Sequence, residues 1–251
     1  MPDNTLPFEN YPLRPAAFAA SLGTTVVVVP HPDDEALGCG GLLALLRQAG
    51  LPVAAVLVSD GTMSHPNSRL FSPEARRAVR ETEFRHALTL LGIDEAEPLL
   101  LHLPDSRVPG SPAEPGFTAA ASQLREFLQQ HAAATVLVPW RRDPHPDHRA
   151  TSQLVAAALA EMPYPPRRLE YVVWAWERAA SDDVPTGADQ VQGFRVNIEA
   201  AVAQKQRAIA AHRSQVAPGV FTDDAAGFLL SEEMLAHFAV PYEVFFEAVA
   251  P

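Results

Sequence analysis

Cysteine is almost missing: Cys39 is the one thiol in 251 residues. A disulfide framework within the chain is thereby excluded, and so is a cysteine-rich zinc site. Long hydrophobic runs are missing too. The longest apolar stretches fall far short of the roughly 20 residues of a membrane span, so no membrane insertion is expected. The opening residues, MPDNTLPFENYPLRP, hold no basic region followed by an apolar run. No secretory signal is read there, and a cytoplasmic location is expected. Basic charge is scarce, with 19 Lys and Arg against 30 Asp and Glu and a formal net charge of −11. An acidic chain lacks the electrostatic footprint for nucleic acid and has the wrong sign for an anionic membrane. The pairs Arg141-Arg142 and Arg167-Arg168 read as solvated faces.

What is present is material for a core. The chain is 47% hydrophobic, enough for one large α/β domain and short for two. Thr24 to Pro30 is a continuous β-branched run, the pattern of a strand buried on both faces. Glu35 to Gln48 reads as a helix closed by Gly50, and Val53 to Val58 as a second strand. Ser72-Pro73-Glu74 opens a long helix that runs to Gly92, with serine as cap and proline in the first turn. Leu99 to Leu103 is a third strand, and Leu124 to Gln130 lies in a third helix. Thr135 to Trp140 is a fourth strand, followed by a helix starting near His148. Leu169 to Trp176 reads as a fifth strand, Phe194 to Ile198 as a sixth, and Glu199 to His212 as a further helix. Alternating strands and helices imply a mostly parallel, Rossmann-like α/β sheet with helices on both faces. One domain over residues 1–251 is expected. Residues 1–22 form an irregular N-terminal arm, and residues 161–251 a C-terminal part with weaker patterning.

Two loops carry the chemistry. His31-Pro32-Asp33-Asp34-Glu35 follows the first strand, and His145-Pro146-Asp147-His148 follows the fourth. All strand C-termini of a parallel sheet lie at one edge, and ligands bind where the strand order reverses. If the first and fourth strands are neighbours across that reversal, the loops share a pocket. They supply His31, Asp33, Asp34, His145, Asp147 and His148, enough for three metal ligands and two proton-transfer groups. Singly, each is ordinary: acidic residues favour helix N-termini, and His-Pro pairs form turns. Two such segments on the ends of two buried strands are hard to produce by chance. Gly38, Gly40 and Gly41 make no dinucleotide fingerprint, since acidic residues occupy the place of a pyrophosphate. Close helix-to-sheet packing explains them better.

These residues resemble the LmbE-like, or PIG-L, family of zinc-dependent N-deacetylases. The likeness rests on Pro30-His31-Pro32-Asp33-Asp34-Glu35, the distal His145-Pro146-Asp147-His148, and the helix pattern Arg80-x-x-Glu83-x-x-x-Ala87-x-x-x-Leu91-Gly92, and it spans most of the first 160 residues. It implies Zn2+, or another divalent ion, held by His31, Asp34 and His148. It implies Asp33 as general base and His145 as oxyanion stabiliser or proton donor to the leaving amine, with Asp147 orienting a neighbouring imidazole. The implied substrate is a small-molecule N-acetylated amino sugar or sugar conjugate, and a homo-oligomer is compatible with the pattern. Arg80 would touch substrate hydroxyls, or else pair with Glu83 on a solvated face. Asp105 would contact the sugar, or else simply shape the Leu-Pro-Asp-Ser turn.

Further residues are read mostly without the resemblance. His65 or Arg69 would cover the sugar from the loop after the second strand, the alternative being a mobile surface loop. Asp60 could hydrogen-bond a metal ligand. Tyr171, Trp174 and Trp176 read as strand core or as a sugar-stacking wall. His212 reads as structural or surface, on an amphipathic helix over Lys205–Gln215; that segment resembles a lysine-to-Ser-Gln tail in part of the family, which would close over the site, and core helix is the alternative. Cys39 reads as a small buried thiol. The same metal site would also serve another acyl amide or an ester, and a non-catalytic metal-containing binding protein is the contrasting reading. Asp33 and His145 speak against the last, since a binder needs neither.

Overall fold

The computed structural model describes residues 7–177 and 183–249. Residues 1–6 of the expected arm, and residues 178–182 and 250–251 of the C-terminal part, lie outside the described residues. The elements in chain order are β1 (Leu13–Arg14), β2 (Thr25–Val29), α1 (Asp34–Gln48), β3 (Val53–Ser59), α2 (Pro73–Leu90), β4 (Leu99–Leu103), α3 (Phe117–Gln130) and β5 (Thr135–Pro139). They continue with α4 (Pro146–Ala160), β6 (Arg167–Tyr171), β7 (Val191–Asn197), α5 (Val202–Ala211), α6 (Arg213–Val216), α7 (Glu232–His237) and β8 (Tyr242–Ala248). Short 3-10 turns occur at Pro7–Asn10 and Ala16–Ser21 within the arm.

The strands form one sheet in the order β1-β7-β8-β6-β5-β2-β3-β4. From β6 through β4 every pairing is parallel. β8 runs antiparallel to both β6 and β7. Successive side chains of a strand point to opposite faces, so β2 serves two cores. Val27 and Val29 pack with α1, α2 and α5, and Val26 and Val28 pack with α3 and α4. This is the expected architecture, with helices on both faces.

Several expectations change in detail. β6 ends at Tyr171, and Trp174–Trp176 form a 3-10 turn rather than more strand. Beyond Tyr171 the backbone turns to another partner: Trp174 N donates to Asp143 Oδ2 at 3.1 Å rather than to a neighbouring strand. The helix expected over Glu199–His212 opens with a 3-10 turn and stops at Ala211. His212, at φ −79° and ψ 56°, separates α5 from α6. β8 is an element that the pattern did not reveal. The glycines of α1 allow close packing as expected, since a Cβ on Gly38 would lie 2.3 Å from the Tyr171 ring and one on Gly41 2.4 Å from Ile198.

α1 is also broken. Cys39 sits at φ −147° and ψ 15°, so the amides just beyond it begin a second helical segment and need acceptors. Glu243 on β8 supplies them, accepting from Gly41 N at 2.7 Å and Leu42 N at 2.8 Å. Lys205 Nζ donates to the same carboxylate at 2.7 Å, and both side chains are buried. Among the described residues no helix is long and apolar enough to cross a membrane.

Candidate active site

β2 is the strand at which the order reverses. β3 and β4 extend to one side of it and β5 and β6 to the other. Thr25, Val26 and Val27 pair with Thr135, Val136 and Leu137 in parallel register. The loops after β2 and β5 therefore open side by side, and residues more than a hundred positions apart meet.

Asp34 Oδ2 lies 3.3 Å from His31 Nδ1 and 3.2 Å from His148 Nε2. A carboxylate backs each imidazole on its other side. His31 Nε2 is 3.1 Å from Asp147 Oδ2 and 3.4 Å from Asp105 Oδ1. His148 Nδ1 is 3.4 Å from Asp143 Oδ1. Carboxylates behind ligating histidines fix ring orientation and raise ligand basicity. His145 caps α4 by accepting from Asp147 N at Nδ1, 3.2 Å. Its ring centroid is 4.8 Å from that of His31 and 5.1 Å from that of His148.

The donor set fits a divalent cation. Tetrahedral bonds of about 2.0–2.1 Å place donors about 3.3 Å apart, the spacing of Asp34 Oδ2 from both imidazoles. Both nitrogens of His148 are buried and make no hydrogen bond, although each has a carboxylate within 3.4 Å. Such orphaned nitrogens are costly unless a cation takes one of them. Among the described residues, two groupings bring donor atoms within 4.8 Å of one another: His31 with His145 and His148, and His31 with Asp105 and Asp147. The carboxylates and His145 also serve the backbone: His145 Nδ1 accepts from Asp147 N, Asp147 from Ser106 N and Val108 N, Asp105 from Met63 N, and Asp34 Oδ2 from His31 N at 3.0 Å. Asp34 is the carboxylate that stands between the His31 and His148 rings.

The electrostatics follow from burial and crowding. Burial alone would raise Asp34, but His148 and His31 hold its carboxyl well below the usual range. Burial pushes Asp33 up to about 7, with the Arg80 guanidinium pulling down and Asp34 pushing up. A cation at Asp34 adds positive charge that favours the Asp33 carboxylate. Burial, with His148 and His31 beside it, lowers His145 to about 4. At that value His145 is neutral near pH 7, and a cation at Asp34 would lower it further. With Nδ1 accepting, its proton sits on Nε2.

Asp33 is the strained residue of the site. It has φ 134° and ψ −28°, a conformation that costs a non-glycine residue about 1–3 kcal/mol. Its amide donates to Glu35 Oε2 at 3.1 Å. The preceding carbonyl, Pro32 O, accepts from Arg80 Nη2, which is also 3.4 Å from Asp33 Oδ2. Arg80 is buried, not on a solvated face. Glu83, its expected alternative partner, instead accepts from Ser214 N at 2.8 Å and Ser214 Oγ at 2.6 Å.

A cavity of about 220 Å³ opens over these groups. His31, Asp33, Asp34, Arg80, Asp105 and His145 line its polar side, and Met63, Trp174, Phe228 and Leu230 its apolar side. Trp174 stands 5.7 Å from the Phe228 ring, so the two form one wall. His65 and Arg69 do not line it. His65 packs 4.7 Å from Phe221, and Arg69 is exposed with its amide held by Asp223. Aspartates 223 and 224 tie down this loop, which is therefore not a free cover. Asp60 accepts from Thr62 and, at 3.3 Å, from the amide of Asp105, a member of one of the two groupings. Tyr171 is core, and Trp176 stacks on His237 away from the cavity.

Sequence reasoning gave no role to three residues, Asp143, Glu35 and Phe228, and preferred a core helix for the segment that carries Gln215. Asp143 backs His148, and only its place two residues before His145 hints at it. Glu35 binds the Asp33 amide and His212, whose Nε2 is 2.6 Å from Glu35 Oε1. Gln215 is buried and lines the cavity, its Nε2 donating to Ser214 Oγ at 3.0 Å. Phe228 reaches the wall because its amide donates to Ser64 O at 2.6 Å.

Fold and site together define a hydrolase of α/β fold with a candidate metal centre at the switch point of a doubly wound sheet. The PIG-L family model, GlcNAc-PI de-N-acetylase, matches residues 26–159. A probable N-acetyl-α-D-glucosaminyl L-malate deacetylase 2 of Bacillus anthracis is 28% identical over 203 residues, covering 78% of this chain and 82% of that protein. A 2'-N-acetylparomamine deacetylase of Streptomyces fradiae is 33% identical over 212 residues, covering 77% and 74%. The N,N'-diacetylchitobiose deacetylase from Pyrococcus horikoshii shares the fold with a TM-score of 0.66 at 23% identity, over 91% of this chain and 84% of that one. The chain belongs to the PIG-L (LmbE-like) family and is an N-deacetylase hydrolase of that family. The family match ends before Trp174, His212, Gln215 and Phe228.

Proposed function

We propose that this chain removes the acetyl group from the nitrogen of an N-acetylated amino sugar or sugar conjugate, using a zinc ion held by His31, Asp34 and His148. One observation carries the reading: Asp34 Oδ2 stands at ligand spacing from two imidazoles each backed by a carboxylate, beside a strained Asp33. The metal is assigned as zinc because two imidazoles and one carboxylate form a usual catalytic zinc set.

A divalent ion at this position acidifies water and polarises an acyl carbonyl. Asp33 takes the proton of the attacking water. His145 donates from Nε2 to the carbonyl oxygen as it becomes an oxyanion. Asp33 then returns its proton to the leaving nitrogen, so that amide and water end as acetate and amine. Trp174 and Phe228 hold the apolar face of the sugar, and Gln215 and Arg80 meet its hydroxyls. A metal-binding protein without turnover has no use for the strain at Asp33.

The test is acetate release from a panel of N-acetylglucosamine conjugates by zinc-loaded protein, followed by mass spectrometry, beside the matching O-acetyl esters. Loss of about 42 Da from nitrogen, abolished by chelator and restored by zinc, is the expected result. Turnover of esters alone, or turnover indifferent to chelator, would overturn the reading.

A further inference from the structure

The reaction assigned above uses Asp33 but leaves two fully buried polar side chains behind it without a role. Glu35 and His212 are both 0% exposed and 177 residues apart in sequence. Glu35 lies on α1 one residue past the ligand candidate Asp34, and His212 fills the break between α5 and α6.

We infer that His212 is a positioning residue for the base, acting through Glu35. The Pro32–Asp33 peptide is held at both ends. Its carbonyl accepts from Arg80, and its N–H donates to Glu35 Oε2 at 3.1 Å. Glu35 alone could give only a local bond between neighbours at a helix start, as in a capping box. Free to rotate, it would let Asp33 relax out of φ 134°. His212 removes that freedom by donating from Nε2 to Glu35 Oε1 at 2.6 Å. The direction of the bond follows from the partner: a carboxylate oxygen accepts, so Nε2 carries the shared proton.

His212 is itself anchored. Its amide donates to Ile209 O at 3.1 Å, and its carbonyl accepts from Gln215 N at 2.8 Å and Val216 N at 3.1 Å. Two residues on, Ser214 is clamped by Glu83, which lies on the same helix as Arg80. α2 and the α5–α6 break thus grip the Asp33 peptide from two sides. A carboxylate aimed at one proton needs such a frame, because small displacements of a catalytic group cost large factors in rate.

This inference rests on Asp33 being the base, so its test has one readout that needs no turnover. In His212→Phe, the Asp33 amide proton should exchange at least about tenfold faster by NMR. With zinc loaded, kcat should fall about 10- to 100-fold, while KM stays within about twofold and zinc content is unchanged. His212→Gln, whose amide can donate to Glu35, should restore slow exchange and most of kcat. If His212→Phe does not fold, His212→Gln against Glu35→Ala gives the same contrast. Faster exchange in an enzyme without acetate release would leave the positioning standing and sink the deacetylase assignment. Slow exchange and full kcat in His212→Phe or Glu35→Ala would overturn the positioning. So would a rise in KM alone, a loss of zinc that matches the loss of rate, or a Gln variant as impaired as Phe.

Discussion

Glu243 and Lys205 form a buried pair whose two members should not be equivalent. Removing Lys205 as Lys205→Met leaves the Glu243 carboxylate with two amide donors, Gly41 N and Leu42 N, at 2.7 and 2.8 Å. Those amides begin the second segment of α1, where partial positive charge favours an anion. The loss is one charged hydrogen bond, about 1.5–3 kcal/mol. Removing Glu243 as Glu243→Ala strands a buried ammonium and two backbone amides at once. Breaking a buried pair in this way costs about 3–5 kcal/mol. At roughly 2–4 °C of Tm per kcal/mol for a chain of this size, Lys205→Met should lower Tm by about 3–12 °C and Glu243→Ala by about 6–20 °C. The double variant should be less destabilised than the sum of the two, by about 1 kcal/mol or more, because no ammonium is stranded. Urea unfolding of the metal-free protein, with m-values compared, is the assay, since a bound ion would shift the midpoints by mass action. Lys205→Met as costly as Glu243→Ala, or strictly additive costs, would refute the view that Glu243 is the cap and Lys205 its counter-ion.

Three shorter expectations concern the site. Asp33→Asn keeps the backbone amide bond to Glu35 and a residue type that tolerates positive φ, so zinc content should hold while kcat falls about 10²- to 10⁴-fold; unaltered kcat would remove Asp33 from the base role. His148→Ala should lose bound zinc by elemental analysis, because it deletes one of three donors, and full zinc retention would refute ligation. Gln215→Leu should raise KM about tenfold, the worth of one hydrogen bond of about 1.4 kcal/mol, with kcat little changed; an unchanged KM would place Gln215 outside the binding surface.

The parallel half of the fold and the meeting of the two histidine loops were legible because both are written locally. A strand buried on two faces must be a continuous apolar run, and Thr25–Val29 and Thr135–Pro139 are such runs. The chemistry-bearing loops follow them directly. β8 escaped because Glu243 and Glu247 interrupt its apolar pattern. In the folded chain one caps α1 and the other pairs with Arg167. Both charges make sense only once their partners are in place, so no pattern within Tyr242–Ala248 could announce a strand.

The same logic explains why the support of the site was invisible while its two loops were not. Helical periodicity runs smoothly from Lys205 to Gln215, and nothing in it marks the break at His212. The break exists because Glu35 and Glu83, on α1 and α2, draw His212 and Ser214 out of one helical line. Asp143 is likewise indistinguishable from an ordinary turn aspartate until His148 and Trp174 N stand on either side of it. The parallel half of the chain thus carries the groups that react, grouped by sequence at two strand ends. The C-terminal part contributes one side chain at a time, His212 behind Glu35 and Trp174, Gln215 and Phe228 along the cavity wall. A site divided in this way leaves the C-terminal part with weaker patterning than the two loops, since each contribution needs a single well-placed atom and little pattern around it.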